Sequence, residues 1–109
     1  MVFILLIFKS FKMTTISNFI SEKGNRVANQ FIIEQNDNGN KVRIFQSYES
    51  IIAKIIYDEW GGKAEIYLDE DTWDYSKTTG KYRNLFLGET KAVTQKNINK
   101  GNYILTDLN

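Results

Sequence analysis

Residues 41–57 read KVRIFQSYESIIAKIIY and carry the clearest signal of secondary structure in the chain. In it, β-branched and aromatic residues alternate with polar ones, a period-two pattern typical of strands with one buried face. The pattern predicts two strands, over residues 41–47 and 50–57. In the second strand, Lys54 marks the more polar face. The residues predicted to share the other face are Ile51, Ala53, Ile55 and Tyr57.

The same kind of pattern extends to both sides of this stretch. Upstream, residues 30–34 form the first firm strand, and the sequence NDNGN at 36–40 predicts a hairpin turn because Asn, Asp and Gly tolerate positive φ. Downstream, DEWGG at 58–62 predicts a turn before a strand over 63–68. In that strand Ala64, Ile66 and Leu68 are predicted to share a face. Residues 14–29 are polar and mixed, with a turn at Gly24 and Asn25.

After residue 71 the hydrophobic period changes from two to about 3.6, which predicts a helix. Its inward stripe is predicted to contain Tyr75, Thr79, Tyr82, Leu85 and Phe86. Either Asp74 or Ser76 suits the N-cap, and Gly88 suits the residue after the last turn. A second, weaker helix is expected to begin after Thr90 and to end at Gly101.

Residues 103–106, Tyr-Ile-Leu-Thr, are long enough for a closing strand. The predicted fold class is therefore α+β: a four-stranded antiparallel meander, then two helices and a short C-terminal strand. The sequence contains no repeat, low-complexity tract or linker, so residues 13–109 are expected to form a single domain.

Residues 1–12 differ from the rest of the chain. The apolar run VFILLIF at 2–8 is far shorter than the roughly 20 residues that a membrane-spanning helix needs, and it lacks the basic start and cleavage site of a signal peptide. Met13 opens an ordinary polar sequence. We expect residues 1–12 to be an upstream start-site extension outside the domain. A short strand and a weak membrane anchor are the alternatives.

The composition excludes much chemistry. The 109 residues include no His, Cys or Pro, and 42% of them are hydrophobic, which fits one small globular domain. Without His and Cys the chain cannot build a Ser-His-Asp or Cys-His site, a disulfide framework or a Cys-based metal centre. We therefore expect no enzymatic activity.

The formal net charge of +1 conceals a strongly polarised chain. Residues 57–74 carry seven acids and one base, whereas residues 75–101 carry six bases and one acid. Acids before a helix and bases within or after it complement the helix dipole, which is a purely structural explanation. The other explanation is a binding surface. The candidate surface residues are Asp69, Glu70, Asp71, Lys77, Lys81 and Arg83.

Known ligand motifs fail in this chain. The acidic run from Asp69 to Asp74 has Trp73 and Asp74 where an EF-hand loop needs an acid and a Gly. The sequence GGK at 61–63 lacks the spacing of a phosphate-binding loop. We expect no catalytic residues, no bound metal and no cofactor.

Two stretches carry a resemblance: FQSYESIIA at 45–53 and WDYSKTTGKY at 73–82. Together they resemble an uncharacterised family of small proteins encoded by phages and mobile elements of low-GC bacteria. The resemblance implies a small accessory protein and supplies no catalytic or ligand residues. The motif residues, which we interpret as structural, are Phe45, Tyr48, Ala53, Trp73, Asp74, Tyr75, Ser76, Thr78, Thr79 and Tyr82. Gly80 is expected to permit close packing of the helix on the sheet.

The expected function is the binding of a host macromolecule, foremost a host protein, in the cytoplasm of a bacterium and away from membranes. The specific function that we expect is interference with a host defence or regulatory protein. The alternative is a weak nucleic-acid-binding module that uses the basic segment 75–101, whose tyrosines and lysines could stack on bases and bind phosphates. The richness in Ile, Asn and Lys is typical of A/T-rich coding sequences.

Overall fold

Six strands and two helices follow one another in the computed structural model, which describes residues 13–37 and 39–109. The expectation about residues 1–12 lies outside the described residues. The elements are β1 (Met13–Ile20), β2 (Arg26–Asp37), β3 (Asn40–Ser47), β4 (Ser50–Tyr57), β5 (Lys63–Asp69), α1 (Lys77–Leu87), α2 (Lys91–Asn99) and β6 (Ile104–Thr106).

All six strands form one sheet in the order β1-β2-β3-β4-β5-β6. The first four pairings are antiparallel, and β5 pairs with β6 in parallel. A parallel pairing requires a crossover connection, which α1 and α2 supply. The α+β class is confirmed, but a meander of four strands is wrong because β1 precedes it in the same sheet.

The sequence hides β1 because only Phe19 among its eight residues is buried. An edge strand that contributes one side chain to the core shows no apolar alternation. For the same reason β2 extends well beyond the predicted 30–34. The hairpin over residues 36–40 is confirmed, since Asp37 pairs with Asn40 and Gly39 has a φ of +85°.

The core lies between one face of the sheet and the helices. Its aromatic part joins Phe19 of β1 to Phe45 of β3 at 5.5 Å between ring centroids, and Phe45 to Phe86 of α1 at 5.9 Å. Tyr82 of α1 lies 5.1 Å from the Phe19 ring. The buried members of the cluster are Phe19, Phe45, Ile52, Ala53, Ile55, Ile66, Leu68, Phe86 and Leu87.

One predicted face of β4 needs correction. Phe45 pairs with Ala53 but Gln46 pairs with Ile51, so Ile52 is an extra residue in a β-bulge. The bulge allows Ile52 to enter the core beside Ala53, whereas strict alternation assigned it to the opposite face.

The predicted caps of α1 and α2 are confirmed in detail. Of the two candidates for α1, Ser76 is the N-cap, and its hydroxyl accepts from the Thr79 N–H at 3.1 Å. Gly88 follows α1 with a φ of +71°. Thr90 caps α2 by accepting from the Val93 N–H at 3.3 Å.

The inward stripe of α1 is partly wrong. Thr79, Phe86 and Leu87 are buried, and Tyr82 packs against the core. Tyr75 is exposed because α1 begins two residues after it, and Leu85 is exposed because Arg83 and Leu87 occupy the inward positions around it.

Gly80 faces a side chain of its own helix. A Cβ at this position would lie 3.6 and 3.7 Å from the two terminal nitrogens of Arg83, which is ordinary contact. Close packing of Gly80 on the sheet is therefore not what the structure shows. Neither α1 nor α2 is long and apolar enough to cross a membrane.

Candidate functional site

A cleft of about 520 Å³ lies beside α1, between the turn that precedes this helix and the start of α2. Among the residues that line it are Asp74, Lys77, Gly80, Lys81, Arg83 and Lys91. Within the described part of the chain, these are four cations and one carboxylate. We call the exposed side chains of Lys77, Lys81 and Lys91 the lysine face.

Arg83 is the floor of this cleft and not part of its exposed surface. Its residue exposure is 1%, so the prediction that it belongs to a surface together with Lys77 and Lys81 requires correction. Nη1 donates to the Trp73 carbonyl at 2.7 Å and Nη2 donates to the Asn84 side-chain oxygen at 3.0 Å. The guanidinium also lies 5.3 Å from the centre of the Trp73 ring, a cation–π distance.

Asp74 connects the buried floor to the lysine face. Its carboxylate lies 3.3 Å from Arg83 Nη1 and 2.7 Å from Lys91 Nζ. Burial raises the pKa of Asp74, but the hydrogen bonds and charges of Lys91 and Arg83 outweigh burial and hold this pKa below its ordinary value. The single carboxylate of the cleft is therefore ionised and already paired.

Lys77 and Lys81 have no such partner among the residues that the structure describes. They are four residues apart on one helix, a spacing at which like charges repel each other. Lys77 also occupies the first position of α1, whose first turn contains no acid, so its charge adds to the positive end of the helix dipole. Dipole compensation therefore does not explain the position of Lys77 in α1.

α2 is held so that Lys91 stays at the cleft. The Thr94 hydroxyl, buried in α2, donates to the Glu89 carboxylate at 2.7 Å, and the Tyr103 hydroxyl donates to the same carboxylate at 2.5 Å. Glu89 thus links the start of α2 to the segment before β6. This arrangement fixes Lys91 opposite Asp74.

A second groove, of about 740 Å³, adjoins the cleft on the other side of Lys81 and Asn84, which line both. It lies between the turn after β1 and the outer side of α1, and its apolar residues are Ile20, Tyr82 and Leu85. Ile20 is 63% exposed and Leu85 is 61% exposed. The basic cleft and the apolar groove thus form one continuous surface along α1.

The acidic run does not form a surface of the predicted kind. Asp69 is buried, and its carboxylate accepts from the Leu108 N–H at 2.9 Å and the Thr72 N–H at 3.0 Å. Burial raises the pKa of Asp69, but these hydrogen bonds together lower it below the ordinary value. Only Glu70 and Asp71 of the predicted trio are exposed.

The described residues contain no group of three or more acidic side chains that could hold a metal ion. Asp69 and Asp74 are both occupied as hydrogen-bond acceptors within the fold. The arrangement can bind anions and apolar side chains.

Comparison with known families gives one match. The model of a family of unknown function, DUF8033, matches residues 14–102. The chain belongs to this family. No curated protein and no solved structure matches it. Membership of an uncharacterised family is thereby confirmed, and both stretches that carry the resemblance lie within the residues that match DUF8033.

The structure brings these two stretches of the DUF8033 domain together. The Ser47 and Thr79 hydroxyls, one from each stretch, are 3.0 Å apart in the core. Phe45 and Ala53 are fully buried. Trp73 and Tyr82 pack against the core, Thr79 is buried, and Ser76 caps α1.

Five motif residues of the DUF8033 domain are exposed: Tyr48, Asp74, Tyr75, Ser76 and Thr78. Tyr48 occupies the turn between β3 and β4 with a φ of +54°, Tyr75 lines the cleft, and Thr78 lies on the outer side of α1. Sequence reasoning missed Lys91 and Ile20 as parts of the surface. The predicted cap at Thr90 placed Lys91 at the start of a helix, which was a signal for this residue. Ile20 could not be found because β1 was not predicted.

Proposed function

We propose that this DUF8033 protein is a non-enzymatic accessory protein of a phage or mobile element, and that it binds a host protein in the bacterial cytoplasm through the surface along α1. The observation that carries the proposal is the lysine face. Lys77 and Lys81 lack acidic partners among the described residues, and they border an apolar groove. Such a surface fits an acidic segment that also carries apolar side chains.

The proposal is supported by the use of the carboxylates. The acid that lines the cleft stabilises the fold, since Asp74 pairs with Arg83 and Lys91. Asp69, outside the cleft, binds Thr72 and Leu108, and Glu22 lines the adjoining groove. The richness in Ile, Asn and Lys is typical of A/T-rich coding sequences. It supports a low-GC genome, which agrees with the proposed phage or mobile-element context. Interference with a host defence or regulatory protein is the form of action that we propose.

The experiment is affinity capture from a low-GC bacterial lysate with a matched pair of variants. Lys77→Glu/Lys81→Glu reverses the lysine face. Lys96→Glu/Lys100→Glu reverses two exposed lysines at the end of α2, outside the cleft. We expect one host protein to be enriched by the wild type and the α2 variant but not by the lysine-face variant, while all three melt cooperatively. Equal enrichment by both variants, or none by the wild type, would contradict the proposal.

A second candidate function is nucleic-acid binding by segment 75–101. It is favoured by one observation: the exposed Tyr75 lines the same cleft as Lys77 and Lys81, so an aromatic ring and cations adjoin. It predicts binding to single-stranded DNA or RNA that weakens steeply with salt, with a slope reduced by Lys77→Gln/Lys81→Gln. If the protein causes no gel shift of DNA or RNA at low salt, this second candidate function is eliminated.

A further inference from the structure

The edge strand β1 has unfilled backbone hydrogen-bonding capacity. Among residues 13–37 and 39–109, β1 has a neighbouring strand on one side only, since it is the first strand in the sheet order. It is eight residues long, whereas β6 at the opposite edge has three. An unpaired strand of this length is a template for another extended chain.

Two of the usual features that discourage such pairing are absent from β1, and its register irregularity is confined to the end of the strand, between Asn18 and Ile20. Monomeric proteins protect exposed edges with charged side chains or proline, and the sequence MTTISNFI contains neither. Ile16, which is 67% exposed, pairs with Ile33, and Ile33 pairs with Ile44. These three side chains form an apolar row across the face of the sheet opposite the helices, and the row ends at the β1 edge.

If β1 pairs with a second copy of itself, its free edge gains backbone hydrogen bonds and the apolar row continues into the partner. Alternate residues of a strand direct their N–H and C=O groups to the same side. In an antiparallel pair, a residue that directs these groups towards the partner lies opposite one that does the same. When a strand pairs with a second copy of itself, one residue therefore lies opposite its own copy, and the two-fold axis runs between these two copies. The regular part of β1 runs from Met13 to Asn18, before the register shift. An axis through Ile16 places isoleucine opposite isoleucine, Thr15 opposite Ser17 and Thr14 opposite Asn18.

We infer that this protein forms a two-fold symmetric homodimer through antiparallel pairing of two β1 strands, centred on Ile16. The dimer has one continuous twelve-stranded sheet and extends the apolar row across the axis. A second copy of the chain fits this edge because, in the register centred on Ile16, apolar residues lie opposite apolar residues and polar residues lie opposite polar ones. No charged side chain is buried or placed opposite a like charge. The lysine face lies on the other face of the sheet, and β1 contributes only Ile20, beyond the paired segment, to the surface along α1. This inference is therefore independent of the proposed function.

Single-cysteine variants of the full chain test the register, since the sequence contains no cysteine of its own. In Ile16→Cys the two sulfurs face each other across the axis at a Cα separation within disulfide range. In Thr14→Cys the two cysteines are offset by four residues, about 13 Å, which is too far. Mild oxidation is expected to give a disulfide-linked dimer of the first variant and none of the second. Equal cross-linking of both, or of neither, would overturn the inference.

Sedimentation of Ile16→Lys provides the second measurement. This variant opposes two ammonium groups at the axis, and dimer affinity should fall about tenfold or more. Ile20→Lys is the matched control, because Ile20 has similar exposure but lies beyond the register shift. Wild type and Ile20→Lys are expected to dimerise over the same range of concentration, whereas Ile16→Lys should need a concentration about tenfold or more higher. A monomeric wild type over about a hundredfold range of concentration would overturn the inference.

Discussion

Replacement of Arg83 by methionine tests how the cleft is built. Methionine keeps most of the aliphatic stem, so the change removes the guanidinium and little packing volume. The Trp73 carbonyl would lose its 2.7 Å donor, and the Asn84 side chain would lose its 3.0 Å donor. Asp74 would keep Lys91 at 2.7 Å.

The magnitude follows from these contacts. A buried carbonyl left without a donor costs about 1–3 kcal/mol, and the cation–π contact with Trp73 adds about 1 kcal/mol. The lost ion pair contributes little, since Asp74 is partly exposed and retains Lys91. We therefore expect Arg83→Met to lower the free energy of unfolding by about 3 kcal/mol.

Urea denaturation followed by tryptophan fluorescence measures this change. With a denaturant slope of about 1.5 kcal/mol/M, the midpoint should fall by about 2 M while the slope stays constant. Lys81→Met, an exposed lysine on the same helix, is the control and should change stability by less than about 0.5 kcal/mol. If Arg83→Met were as stable as this control but failed to capture a partner, Arg83 would be a surface contact and the buried network would be refuted.

Three further predictions concern the core, α1 and the acid range. Gly80→Ala should stabilise the protein by up to about 1 kcal/mol in thermal melts, because the added methyl makes only ordinary contact with Arg83; destabilisation would show that close packing excludes a side chain. Ser47→Ala should lower the free energy of unfolding by about 1–2 kcal/mol because the buried Thr79 hydroxyl loses its hydrogen-bond partner. The double variant Ser47→Ala/Thr79→Val should recover part of that loss, whereas strictly additive losses would argue against the hydrogen bond. Because folding lowers its pKa, Asp69 contributes stability at pH values above the ordinary carboxyl pKa of 3.8, and this contribution is lost as the pH falls below that value. Asp69→Asn should flatten this acid part of the urea-midpoint profile, and an unchanged profile would contradict the assignment.

Features set by neighbouring residues were predictable from the sequence. The strands β3, β4 and β5 show alternation because one face packs against the core, and their bounds agree with the prediction to within one residue. The Ser76 and Thr90 caps act within three residues of their own position. Local hydrogen bonding determines such features, so a local pattern reveals them.

Features set by distant residues were not predictable. β1 is a strand because β2 pairs with it, and its own side chains are mostly exposed. Ile52 reaches the core only because β3 and β4 differ by one residue in register. Neither fact leaves a trace in the hydrophobic pattern of the segment concerned.

The candidate site shows the same division. Lys77 and Lys81 are exposed, as their residue type and spacing suggested. Arg83 was assigned to the surface by residue type, yet the turn at Trp73 and Asp74 offers it a carbonyl and a carboxylate inside the fold. Asp69 was assigned likewise, and its burial depends on backbone from the far end of the chain.

The hydrogen bonds of Asp69 have a consequence for folding kinetics. Hairpins join β1 to β5, whereas the parallel pairing of β6 and the bond from the Leu108 N–H to a carboxylate 39 residues earlier are contacts of long range. Because closing such a long loop costs conformational entropy, we expect these contacts to form late in folding. We therefore expect Asp69→Asn to accelerate unfolding while leaving the rate of refolding nearly unchanged.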